Sequence, residues 1–255
     1  MNLTTEQKQT FFDQGFVKLP NAVPEQLVHK ALHAINASLG SEGMDPARLV
    51  TFRTQSYCPE VQRTAAITDL MTASPLWSLA ESAIGANTIQ PVQSGQIALR
   101  FPTAGLDKVG GPHLDGMYSP DNGVQKGRIQ NFTALVGIFL SDIPQPFMGN
   151  FTVWPGTHHL YEQYFREHTP QSLLQGLPAI QLPEPQQITG KAGDAVLVHY
   201  QLAHAIAANT SPFIRYGIFF RLSHINHDEI HWECMTDIWR EWAGMRDITS
   251  AARRA

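Results

Sequence analysis

Two cysteines in 255 residues, Cys58 and Cys234, are too few for a disulfide framework or a thiolate-based zinc site, and they suit a reducing compartment. No stretch of about 18 apolar residues is available to span a bilayer. The opening MNLTTEQKQTFFDQG is polar and amphipathic and lacks the charged and apolar regions of a secretory leader, so a soluble, cytoplasmic chain with no membrane partner is expected. Basic residues are not in excess: 18 Lys and Arg face 22 Asp and Glu, for a net charge of −4, and no Lys/Arg run stands out. That balance excludes the basic field a nucleic-acid partner requires. Internal repeats and low-complexity tracts are also missing.

What is present is 43% apolar residues spread evenly along the chain, which predicts one domain over 1–255 with a sizeable core. Helical signals fill the N-terminal part, about 1–88. Thr4 or Thr5 caps a short helix through Phe12, Pro24 leads PEQLVHKALHAINASL until Gly40 ends it, and Gly85 closes PLWSLAESAIG. From about residue 90 short apolar or alternating runs, among them TIQPVQSGQIALRF, NFTALVGIFL, AGDAVLVHY and FIRYGIFFRL, alternate with Gly, Pro, Asn and Asp clusters. This pattern predicts a mainly β, antiparallel sandwich or barrel with peripheral helices. HHLYEQYFREH reads as one inserted helix and ECMTDIWREWAGM as a helix near the C-terminus.

Within GPHLDGMYSP, His113 and Asp115 stand two apart. With 11 His in the chain, about 0.5 such pairs arise by chance, so the motif alone means little. On an extended backbone, however, residues i and i+2 face the same side and would aim one nitrogen and one oxygen at a common point. A facial metal site needs a second histidine and leaves positions open for co-substrate and oxygen. AHAIAA and FIRYGIFFRL flank the turn-forming NTSP, which predicts a hairpin with His204 opposite Arg215 on one face. A cation beside a metal ligand needs an anion between them, and a dicarboxylate bridging ion and arginine would serve. His199 falls on the opposite face and is the weaker candidate.

In order along the chain stand His113-Leu114-Asp115, MGNFTVWPGTHH with Pro155-Gly156-Thr157-His158, Gly193-Asp194, His204, Asn209, and Arg215 eleven residues past His204. Order and spacing resemble the phytanoyl-CoA dioxygenase-like (PhyH) family of Fe(II)/2-oxoglutarate-dependent oxygenases, and FFDQGFVKLPNAVP resembles its N-terminal segment. The resemblance implies a double-stranded β-helix, a cupin-like jelly roll, with iron at the barrel mouth. It implies that His113, Asp115 and His204 bind Fe(II), with Arg215 on the distal carboxylate of 2-oxoglutarate. The implied reaction consumes O2, converts 2-oxoglutarate to succinate and carbon dioxide, and hydroxylates or otherwise oxidises a small-molecule metabolite, with ascorbate as an optional reductant. Halogenating relatives carry a small residue in place of the carboxylate; Asp115 fills that position here.

Further residues carry lesser expectations. Gln96 and Thr133 are candidate co-substrate contacts, and Arg100 and Tyr118 candidate substrate contacts, in TAGLDKVGG and MYSPDNGVQKGRIQ country or on the strand before it. A solvated strand face and a sheet-satisfied threonine are the plainer readings of the first two. Lys108, Lys126 and Arg128 would attract an acidic substrate, or are simply solvated loop cations. His158 and His159 read as helix-start packing, Asp194 as turn chemistry, and Trp232, Trp239 and Trp242 as core or a dimer contact. His224, His227 and His231 raise a second metal site without a periodic face to support it. Two other classes stay open: a zinc-dependent hydrolase on the same His, Asp, His set, and a non-catalytic metabolite-binding jelly roll. Monomer and homodimer are equally compatible with the sequence.

Overall fold

In the computed structural model, which describes residues 1–252, Thr4 opens the first helix. Its hydroxyl accepts from the Gln7 N–H (3.1 Å) and the Gln7 side chain accepts from the Thr4 N–H (2.9 Å), so two donors of the first turn are satisfied reciprocally. Helix α1 (Thr5–Gln14) ends at Gly15, whose φ of 77° is the left-handed cap. Strand β1 (Phe16–Leu19) follows, then α2 (Glu25–Ser41), α3 (Leu49–Thr54), α4 (Ala65–Thr72) and α5 (Leu76–Ile84), the last closed by Gly85 as expected. Gly40 does not end α2; the helix runs one residue past it.

The remaining strands are β2 (Gln96–Arg100), β3 (Ala134–Phe139), β4 (Phe151–Val153), β5 (Gln186–Gln187), β6 (Ala195–His199), β7 (His204–Ile206) and β8 (Arg215–Leu222). They form two antiparallel sheets, of order β1-β6-β3-β8-β2 and β5-β4-β7. Helix α6 (Thr157–His168) lies between β4 and β5 in sequence, and two short helices, α7 (His227–Ile230) and α8 (Arg246–Ala252), follow β8.

Alternation along the strands makes two apolar layers. Ile218, Phe220 and Leu222 of β8, with Ile97, Val136 and Leu197, face helices α1, α2, α4 and α5. Phe219, with Leu135, Phe139, Val196 and Val198, faces Phe151 and Val153 of the smaller sheet. The odd-numbered residues of β8 therefore point between the sheets, and that placement aims Arg215, Gly217, Phe219 and Arg221 inward.

Three expectations need correction. Strands make up 18% of the chain and helices 35%, so the fold is not mainly β. The strands are short, and the apolar outer face of the five-stranded sheet must be covered by helix. ECMTDIWREWAGM is two 3-10 turns, Glu233–Met235 and Ala243–Met245, joined by irregular backbone. Trp239 reaches Phe12, Glu241 reaches His227 and Trp242 reaches Phe11, and no helix turns positions 239, 241 and 242 to one side. Finally, β7 and β8 do not pair as a hairpin: Val153 stands opposite His204, and Arg100 opposite Arg215. Around Pro212, which has no N–H for a ladder, the chain crosses from one sheet to the other. Among the described residues no helix is long and apolar enough to cross a membrane.

Candidate active site

His113 and His204 come together through the main chain. The His113 N–H donates to the His204 carbonyl (3.0 Å) and the His204 N–H to the His113 carbonyl (3.1 Å), an isolated antiparallel bridge that sets their rings 4.5 Å apart. Asp115, two residues on, places Oδ1 3.6 Å from His113 Nε2 and 3.4 Å from His204 Nε2. One ligand atom from each of the three lies within 4.8 Å of the others. His204 Nδ1 lies 3.0 Å from the Leu202 carbonyl and must donate to it, which makes Nε2 the ring nitrogen that faces Asp115. The arrangement is lopsided: the His204 side chain is 7% exposed and that of His113 49%.

Burial alone would raise the Asp115 carboxyl, but Arg221 and the two imidazoles outweigh it and hold the group well below the ordinary carboxylate range. Arg221 Nη2 donates to Asp115 Oδ2 at 2.6 Å while Nη1 donates to Gln96 Oε1 at 3.0 Å. Its guanidinium carbon stands 5.7 Å from the centre of the Phe132 ring. An ionised aspartate and two imidazoles, one with its free nitrogen fixed, form a donor set suited to a divalent iron.

Arg215 supplies the second element of the site. It is 4% exposed, its Nε donates to the Gly149 carbonyl (2.8 Å), Nη1 donates to the Ala98 carbonyl (3.1 Å), and Nη2 is buried without a partner. Burial, reinforced by Arg100 across the ladder, pushes the guanidinium down to about 9. A buried cation with an idle donor and no carboxylate on it is a site for an anion. Two glycines make room for it. A Cβ on Gly149, at φ 74°, would stand 2.8 Å from Arg100 Cβ, and a Cβ on Gly217 would stand 2.6 Å from Arg215 Nη1. The guanidinium therefore lies over Gly217, along β8 toward Phe219 and the Arg221 end where Asp115 sits. A small cavity lined by Arg215, Gly217, Phe219, Phe139 and Phe151 occupies this space between the sheets.

The profile of the phytanoyl-CoA dioxygenase (PhyH) family matches residues 11–217, which takes in both histidines, Asp115 and Arg215. The chain belongs to the phytanoyl-CoA dioxygenase family. Enzymes of this family use Fe(II), 2-oxoglutarate and O2. No curated protein matches the chain in sequence. Among solved structures, HygX from Streptomyces hygroscopicus with nickel and 2-oxoglutarate bound is 18% identical, with a TM-score of 0.59 over 88% of each chain. EctD from S. alaskensis with 2-oxoglutarate and 5-hydroxyectoine is 17% identical, TM-score 0.56, over 87% of this chain and 76% of that one. The carbocyclase SnoK from nogalamycin biosynthesis is 20% identical, TM-score 0.51, over 86% and 83%. At these identities the likeness establishes the shared jelly-roll fold.

Other sequence candidates of this family member fall elsewhere. Gln96 reaches the mouth of the site, but Oε1 accepts from Arg221 and Nε2 donates to the Thr54 carbonyl (3.4 Å), so its amide serves the protein. Thr133, just before β3, is turned to the C-terminal segment: its hydroxyl donates to Glu241 (2.7 Å) and accepts from the His224 N–H (2.8 Å), which leaves no proton for a co-substrate. Arg100 lies at the Arg215 end of its strand, with Nη1 on the Leu99 carbonyl. Tyr118 is exposed in the loop after Asp115. That loop is tied to α3 where Thr54 and Gln55 donate to the Asp121 carbonyl.

The remaining histidines are structural. His158 and His159 both donate Nε2–H to the Phe12 carbonyl at 2.9 Å and fasten α6 to α1. His227 gathers with Cys234 and Glu241 rather than with His224 and His231. Its Nδ1 meets Glu241 at 2.9 Å and its Nε2 meets Asn131 Oδ1 at 3.3 Å, so both ring nitrogens are taken. Asp194 accepts from the Asn21 and Lys191 N–H groups, the turn role expected of it. Trp239 and Trp242 pack on Phe11 as core. Arg221 went unread in the sequence, although its parity with Arg215 in RYGIFFRL marks it as inward-facing.

Proposed function

We propose that this protein is a non-haem Fe(II)- and 2-oxoglutarate-dependent dioxygenase that hydroxylates a small-molecule metabolite. In this reading His113, Asp115 and His204 hold the iron, and Arg215 pairs with the distal carboxylate of 2-oxoglutarate. The observation that carries it is the pairing of two features in one barrel: three converging ligand atoms, and a buried guanidinium that lies over Gly217 of β8 with its Nη2 unpartnered. Bound iron supplies the activation of O2 and the oxidising power; the chain supplies placement.

Each residue has a separate task. The Leu202 carbonyl holds His204 Nδ1–H, so Nε2 is the nitrogen offered to a metal. Asp115 is ionised before any metal arrives. Gly217 and Gly149 shape the channel in which a dicarboxylate lies between the ligand set and Arg215. The aromatic walls from Phe139, Phe151 and Phe219 exclude water from its carbon chain. A zinc hydrolase would have no use for a buried arginine with an unpartnered donor between the same two sheets. Titration of the protein with Fe(II) and 2-oxoglutarate without oxygen should develop a weak visible charge-transfer band. Admission of oxygen should then release succinate slowly, and faster when the right metabolite is present. Folded protein that yields neither band nor succinate with Fe(II), ascorbate and O2 refutes this reading. Product analysis with the stimulating metabolite separates hydroxylation from another oxidation.

A further inference from the structure

Arg221 stands half-exposed at the mouth between the two sheets, and each of its terminal nitrogens has a protein partner. Nη2 holds Asp115 Oδ2 at 2.6 Å, Nη1 holds Gln96 Oε1 at 3.0 Å, and the Phe132 ring lies beneath it. Asp115 is thereby divided: Oδ2 belongs to Arg221, and Oδ1 is the oxygen within 3.6 Å of both imidazoles. We infer that Arg221 is a positioning residue, held in place by Gln96, that makes Asp115 offer a single oxygen to the metal and so keeps a coordination position free for 2-oxoglutarate. The inference rests on the metal role proposed above for Asp115.

Two physical effects of the guanidinium act on 2-oxoglutarate in the same direction. A carboxylate with one oxygen held by a guanidinium is turned away from closing on an ion with both, which favours one position over two. The charge of Arg221 also cancels that of Asp115, which leaves the full charge of a bound ion to attract a dianion. On metal affinity the same two effects oppose each other, because orientation of the ligand helps the ion while a nearby cation repels it. Loss of Arg221 therefore weakens 2-oxoglutarate binding more than metal binding. A residue that merely supported the fold would weaken both together and lower the melting temperature as well. Gln96 acts one step further out: its loss frees Arg221 to leave Asp115 and should give the same effect, smaller.

The test uses the full chain without oxygen, with metal affinity measured by Co(II) titration and 2-oxoglutarate affinity by the Fe(II) charge-transfer band. Arg221→Met should raise the half-saturating 2-oxoglutarate concentration about tenfold, with a smaller change in Co(II) affinity. Arg221→Lys, which restores the charge but not the fork, should recover part of that loss, and Gln96→Met should show a weaker effect of the same sign. Co(II) affinity is then followed in a cycle with Asp115→Asn. If Arg221 works through Asp115, its substitution has no further effect on metal affinity or on the cobalt spectrum once the carboxylate is gone. The inference is overturned if Arg221→Met leaves 2-oxoglutarate affinity unchanged. It is equally overturned if metal and co-substrate affinities fall in parallel, or if the cobalt spectrum responds to Arg221→Met as strongly in the Asp115→Asn background. A wild-type chain that binds Co(II) and 2-oxoglutarate while Arg221→Met behaves like it sinks this inference alone; a wild-type chain that binds neither sinks the functional reading with it.

Discussion

His113 and His204 are 91 positions apart in the chain yet exchange both backbone hydrogen bonds, at 3.0 and 3.1 Å, so the main chain brings their side chains to one place, where the rings stand 4.5 Å apart. The ligand set is consequently as rigid as the bridge beneath it. Four consequences of the structure can be measured.

His204→Ala removes the best-buried ligand and keeps its backbone bonds. Metal-dependent succinate release should fall to background, and the metal-free protein should stay folded with a melting temperature lowered by no more than the loss of the Leu202 bond and of the packing on Phe151. Activity assays paired with thermal melts check this.

Gly217→Ala places a methyl 2.6 Å from Arg215 Nη1, and the far end of that side chain is what must move. The half-saturating 2-oxoglutarate concentration should rise about tenfold or more, equivalent to about 1.4 kcal/mol. Co(II) affinity should stay near that of the parent. Anaerobic titration with the two ligands in turn separates the outcomes.

Thr133→Val leaves the Glu241 carboxylate and the His224 N–H each short of a partner in the interior. Stability should drop by about 1–3 kcal/mol, read from denaturant unfolding, with 2-oxoglutarate affinity unchanged. An altered co-substrate affinity at constant stability would instead return Thr133 to the site.

His199 is buried, and burial holds it down at about 4 although the Ile238 carbonyl on Nε2 favours the cation. Its Nδ1 accepts from the Gln201 N–H at 3.0 Å and has no room for a proton. The unfolded chain takes up that proton near pH 6.5, the folded chain only near 4. Stability from this residue is therefore complete above about pH 6.5 and declines as pH falls from there toward 4, by about 2 kcal/mol at pH 5. Urea midpoints at pH 7 and pH 5 measure the slope, and His199→Gln should flatten it.

Sequence order and parity made much of the site legible. Thr4, Gly85 and the inward face of β8 follow from local rules, since a cap, a positive-φ glycine terminus and an alternating strand depend on near neighbours alone. The pairing of β7 was not legible, because nothing within AHAIAA specifies which of two sheets it joins. His204 and Arg215 still face the same interior, reached from different sheets instead of across one ladder. The irregular 233–245 segment misled the reading for a related reason: Trp239 and Trp242 carry helical spacing, and only the distant partners Phe11, Phe12 and His227 reveal that Glu241 must turn inward with them. Arg221 was overlooked because its partner, Asp115, lies 106 positions away.

The half-open ring of His113 beside the enclosed ring of His204 gives the proposed metal site an outer door and an inner anchor. Chelators, histidine-modifying reagents and an incoming ion all meet the door first. Exchange of one metal for another in the resting protein should thus proceed by release of His113 ahead of His204.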